Sequence, residues 1–137
     1  MKKLILIFTL LFSTVMFSSS SYAEWTKLYV NDIGNTYYLD FERIRKHGGS
    51  VYYWILSDLL KPINNGSLSG KLYAEGDCKL FRLKDLSYSF HSQPMGRGTG
   101  VTNTSKNPKW YYPSPNSVNE TILKSVCSRW WKPYSPS

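Results

Sequence analysis

Val51-Tyr52-Tyr53-Trp54-Ile55-Leu56-Ser57-Asp58-Leu59-Leu60 is the stretch that decides the fold. It holds neither glycine nor proline, and its β-branched and aromatic residues suit an extended, pleated backbone. Successive side chains of a strand emerge on opposite faces. Val51, Tyr53 and Ile55 therefore share one face, and Tyr52, Trp54 and Leu56 the other. Apolar residues in both sets predict a central strand covered on both faces over at least part of its length. Lys61-Pro62 ends it, because proline cannot donate to a ladder.

The flanking segments read as further strands. Upstream, residues 24–30 predict a first strand, Asn31-Asp32-Ile33-Gly34-Asn35 a turn, and Thr36–Leu39 a second, short strand. Asp40 can cap one helical turn through Ile44. Arg45-Lys46-His47-Gly48-Gly49 reads as a polar connection with glycines at the reversal. Downstream, Asn64-Asn65-Gly66 turns the chain into a strand over Leu68–Gly76, and another runs from Lys79 to about Phe90. In that last strand the apolar phase passes from odd (Phe81, Leu83) to even (Leu86, Tyr88, Phe90), which predicts a β-bulge near Lys84-Asp85. Residues 91–116 show no helical period and read as a long loop, with a short edge strand near Gly100–Thr102.

A helix follows. Ser117-Val118-Asn119-Glu120 is a capping box, with Ser as N-cap and Glu at N3. Val118, Ile122, Leu123, Val126, Cys127 and Trp130 then recur on one helical face. The pattern predicts an α+β domain, an antiparallel sheet with this helix packed on it. The tail after Trp131, residues 132–137, is expected to be disordered.

The N-terminus points to export. Lys2 and Lys3 precede a largely apolar run over Leu4–Phe17, then four serines and Tyr22-Ala23. That is the layout of a secretory signal peptide cut before Glu24. The run falls short of the roughly 20 residues that span a bilayer, and no cysteine offers a lipid attachment point near the cut. Residues 1–23 are thus read as a signal peptide and 24–131 as one domain. The two cysteines, Cys78 and Cys127, both fall in that domain, and an oxidising compartment favours their pairing. The competing reading is a metal site, which here would lack paired histidines.

The formal net charge is +8, two units of it from Lys2 and Lys3. From Arg97 onward six basic residues stand against one acid, Glu120. Such a bias favours anionic partners. Nucleic acid suits the charge but not the compartment. Gly96-x-Gly98-x-Gly100 has the wrong spacing for a dinucleotide loop, and no helix follows it. His47 and His91 have no neighbours at metal-ligand spacing, and no serine or carboxylate pair suggests catalysis. No cofactor or metal is implied, and no enzyme is expected. What stands out is the segment combining Arg97, Lys106 and Lys109 with Trp110, Tyr111 and Tyr112. Cations among amphipathic aromatics suit contact with an anionic protein or glycan surface. The competing reading is that these aromatics fold back onto the sheet or helix.

Asn35-Thr36-Tyr37-Tyr38-Leu39-Asp40, Ile44-Arg45-Lys46, Val51-x-x-Trp54-x-Leu56-x-Asp58, Asp77-Cys78, Pro94-Met95-Gly96-x-Gly98 and Val126-Cys127 occur in this order. Together they resemble the bacterial surface-adhesin protein E family over about residues 25–127. The resemblance implies about six antiparallel strands, a docked C-terminal helix and a Cys78–Cys127 disulfide. It also implies a non-enzymatic adhesin able to dimerise. The export signal itself leads to the periplasm, the cell surface or the outside of the cell. The alternative is a periplasmic protein that binds a small ligand or maintains the envelope. Family members that are lipoproteins carry a lipobox cysteine, which this chain lacks.

Overall fold

The computed structural model describes residues 24–130. The proposed signal peptide and the tail lie outside them. The chain forms β1 (Thr26–Val30), β2 (Thr36–Leu39), β3 (Arg45–His47), β4 (Ser50–Asp58), β5 (Ser69–Asp77), β6 (Arg82–His91), β7 (Gly100–Thr104) and α1 (Val118–Trp130). All seven strands join one antiparallel sheet in the order β1-β2-β4-β5-β6-β7, with β3 also paired to β4. β4 is the central strand that its composition predicts.

The seventh strand is β3, and it corrects the reading of Arg45–His47 as a connection. Its three residues are all exposed, so no apolar alternation marks them. They pair with Ser50–Tyr52, while β2 pairs with Ile55–Asp58 farther along the same edge of β4. Between β2 and β3 the chain steps aside through a 3-10 turn at Phe41–Arg43, capped by Asp40, whose Oδ1 accepts the Arg43 amide at 3.3 Å. The β-bulge is present: Tyr73 faces Ser87 and Ala74 faces Asp85, leaving Leu86 as the extra residue.

One face of the sheet meets α1. Val51, Tyr53, Ile55, Ala74 and Leu83 of the sheet and Ile122, Leu123 and Val126 of the helix form the buried core. Gly76 makes the close approach possible, since a Cβ there would lie 2.8 Å from Leu123 Cδ1. The Cys78–Cys127 disulfide ties the helix to the end of β5, with the two Cα atoms 5.5 Å apart. A cross-link closing a loop of this length contributes about 4 kcal/mol by chain entropy.

The helix start follows the capping-box reading with one change. Ser117 Oγ accepts the Glu120 amide at 3.2 Å. In the reciprocal bond Glu120 Oε1 accepts from the Asn116 amide, because the Ser117 amide already donates to the Ser114 carbonyl. Among the described residues, no helix is long and apolar enough to cross a membrane.

Candidate binding surface

The face of the sheet turned away from α1 carries the other residues of the same strands. Trp54 and Tyr73 stand opposite each other on β4 and β5, and their rings stack with centroids 4.7 Å apart. Tyr52 lies 6.2 Å from Tyr73. The row continues into charge. Glu75 accepts from Ser50 Oγ at 2.8 Å and pairs with Lys84 Nζ at 3.2 Å. Partial burial and the Glu75 carboxylate together push the Tyr52 hydroxyl above its ordinary pKa.

Trp110 completes this surface. The Lys84 ammonium lies 4.3 Å and the Arg82 guanidinium 4.5 Å from its ring centroid. Arg82 in turn pairs with Asp77 at 3.0 Å. Backbone register explains the position. Tyr111 and Leu83 exchange two backbone hydrogen bonds, of 3.0 and 2.9 Å, across an antiparallel bridge. Tyr111 therefore shares the helix-side face with Leu83, and Trp110 the opposite face with Arg82 and Lys84. On the helix side, the Tyr111 hydroxyl donates to Asp85 Oδ1 at 2.8 Å and accepts from the Asn119 side-chain Nδ2 at 3.4 Å. Burial first, and then the Asp85 carboxylate, hold that hydroxyl well above its usual pKa.

At the far end of β4 a 3-10 turn at Pro94–Gly96 folds over this open face. The Met95 amide donates to Asp58 Oδ1 at 2.9 Å, and the Gly96 amide to Ser69 Oγ at 2.8 Å. Met95 and Gly96 both adopt positive φ, 59° and 71°, and a Cβ on Gly96 would lie 3.3 Å from Leu56 Cδ1. The turn explains why Leu56 is buried while Tyr52 and Trp54 are half-buried.

The six candidate contact residues are not gathered into one cluster. Arg97 closes the turn between β6 and β7, where its carbonyl accepts from Gln93. Trp110 lies near the opposite end of β6, some eight residues away along the strand, which is about 26 Å at ~3.3 Å per residue. Arg97, Lys106, Lys109 and Tyr112 are exposed, whereas Trp110 and Tyr111 are half-buried. Arg82, Lys84, Tyr52, Trp54 and Tyr73 escaped sequence reasoning as surface residues. Their aromatic and basic character is plain, but grouping them requires the strand register. Among the described residues, no cluster of His, Cys, Asp and Glu could hold a metal ion.

Comparison with known proteins bears on this architecture. The family model for surface-adhesin protein E matches residues 25–128. No curated protein sequence matches the chain. Among solved structures, crystal form II of Haemophilus influenzae protein E superposes with a TM-score of 0.64 at 17% identity, covering 81% of this chain and 92% of that one. A second structure of Haemophilus influenzae protein E gives 0.61 at 16% identity, covering 83% and 91%. Protein E from non-typeable Haemophilus influenzae gives 0.55 at 15%, covering 80% and 79%. At such identities the likeness is one of fold. The family match spans nearly all of the described residues, and the chain belongs to the surface-adhesin protein E family.

Proposed function

We propose that the chain is an exported, non-catalytic binding protein that attaches to a macromolecular surface, of a host or of the environment, through the open sheet face and the adjoining segment up to Tyr112. Residues 1–23 serve as the leader. The observation that carries this reading is the position of Trp110, with the Arg82 and Lys84 cations against its ring, on the sheet face that also carries the stacked Trp54 and Tyr73. An aromatic fixed in this way loses little rotamer freedom when a partner arrives. Lys106 and Lys109, exposed beside it, add the positive field that draws an anionic protein or glycan toward it.

The test uses the partner recovered by pull-down from envelope and extracellular extracts. Trp110→Ala is expected to raise the dissociation rate about tenfold or more, as for a buried anchor. The Lys106→Ala/Lys109→Ala pair is expected to slow association and flatten its salt dependence. Equal kinetics for wild type and both variants, all with unchanged melting temperatures, would place the contact elsewhere.

A further inference from the structure

The helix side of the sheet is not covered along its whole length. α1 begins at Val118, and beyond its N-terminal end β4 and β5 place Ser57 and Gly70 side by side on that face. These two residues leave the floor low. An open groove of about 430 Å³ results, walled by Tyr37, Leu59, Ile63, Leu72, Tyr88 and Phe90. That volume falls within the roughly 300–1,000 Å³ of small-ligand sites. A second hollow of about 360 Å³, shared at Tyr37, Ser57 and Leu72, extends it to Ser117 and Asn119 at the helix start.

The groove has a single charge of its own. Lys71 and Ser89 also border it, but the Lys71 side chain packs against Gly96 and Ser89 Oγ bonds to His91, both on the other face. Asp85 remains, opposite Ala74 and next beyond Leu72 and Tyr88 on this face. One of its oxygens accepts from Tyr111. No salt bridge to a lysine, arginine or histidine is formed by it among the described residues, in contrast to Asp77, Glu75, Asp40 and Glu120. Of the other acids without a cation, Glu24, Asp32 and Glu42 are exposed and Asp58 accepts from the Met95 amide on the opposite face. Beneath it, the Tyr53 hydroxyl is fully buried and has no hydrogen-bond partner. An unpaired carboxylate at the end of an apolar channel, in a chain with an excess of basic residues, is complementary to a cation with an apolar body.

We propose that this groove binds a small molecule bearing a protonated amine on an apolar or aromatic body. The ammonium meets Asp85, and the body lies over Gly70 between Leu72, Phe90 and Ile63. The site faces away from Trp110, so it is separate from the surface proposed for macromolecular contact.

The experiment uses three probes of one shape, 2-phenylethylammonium, 2-phenylethanol and phenylacetate, titrated into the mature protein and followed by ligand-observed NMR. The ammonium is expected to bind about tenfold or more tighter than the alcohol, a difference of about 1.4 kcal/mol, and the carboxylate weakest. Asp85→Asn keeps an oxygen for the Tyr111 hydroxyl and should erase the preference for the ammonium. Gly70→Leu fills the floor without touching Asp85. A Cβ at Gly70 meets nothing closer than 3.4 Å, so this variant should fold and lose all three probes. Absence of saturable ammonium binding, equal affinities for the three probes, or wild-type binding by a folded Gly70→Leu variant would each overturn the proposal.

Discussion

The two faces of one sheet use the same three strands in opposite ways. On the helix side, Val51, Tyr53, Ile55, Ala74 and Leu83 are at most 3% exposed and close against Leu123 and Val126. On the open side, Tyr52, Trp54, Tyr73, Glu75, Arg82 and Lys84 are all only half-buried, and rings and ion pairs replace aliphatic packing. The first face holds the fold, since each fully buried large side chain contributes about 1.5–3 kcal/mol. The second contributes less stability, but its rings are held at fixed spacing by the ladder beneath. Alternation along a strand thus separates holding the domain together from presenting a surface.

The largest expected effect comes from truncation on the helix side. Leu123→Ala should cost about 2–5 kcal/mol in urea unfolding, the transfer and cavity loss of a buried leucine. Tyr73→Ala removes a larger side chain from the open face, yet should cost only about 1 kcal/mol, the order of an aromatic pair. A Tyr73→Ala loss equal to that of Leu123→Ala would show that the two faces do not divide the work in this way.

How much of this was legible in sequence depended on whether the signal was local. β4, the turn capped by Asp40, the bulge beside Asp85 and the helix start at Ser117 were all readable, because alternation, capping chemistry and phase changes are carried by neighbouring residues. β3 was not, since a three-residue strand of Arg, Lys and His has no apolar side to alternate. The candidate site was legible only in part. Arg97 and Trp110 lie in one loop by sequence, but β7 intervenes and puts them near opposite ends of β6. The true neighbours of Trp110, Arg82 and Lys84, precede it by more than twenty-five residues. Long-range register has no local signature. The groove at Gly70 was hidden for the same reason, as it depends on two small residues facing each other on different strands.

A smaller effect tests how the helix is set on its face. Ser117→Ala should cost about 1 kcal/mol through loss of the bond to the Glu120 amide, and Ser117→Asp should recover most of it. Calorimetric melts of the three proteins check this. An unchanged melting temperature in Ser117→Ala would mean that the disulfide and Leu123 hold the helix start unaided.

The smallest effect distinguishes the faces by pH. Burial of the Asp77 carboxyl would raise its pKa, but the Leu80 amide, Arg82 and the Lys79 amide outweigh burial and hold it below the usual carboxylate range. A carboxylate whose folded pKa is depressed contributes stability above its unfolded value, near 3.9, and loses it as pH falls through the folded value. The window therefore lies below about pH 4. Protonation removes the anchor of the β5–β6 turn and leaves Arg82 to the Trp110 ring alone, while the aliphatic contacts around Val126 carry no charge to titrate. Hydrogen exchange, corrected for intrinsic rates, should show the Lys79 and Leu80 amides keeping their protection down to about pH 4 and losing it below that, by roughly the few-fold expected for about one weakened hydrogen bond. The Val126 amide should keep its protection. Arg82→Gln should move the loss to higher pH, since it removes one of the groups that depress the Asp77 pKa. Equal loss at Val126 would mean that acid loosens the domain as a whole and that the charged turn is not a separate unit.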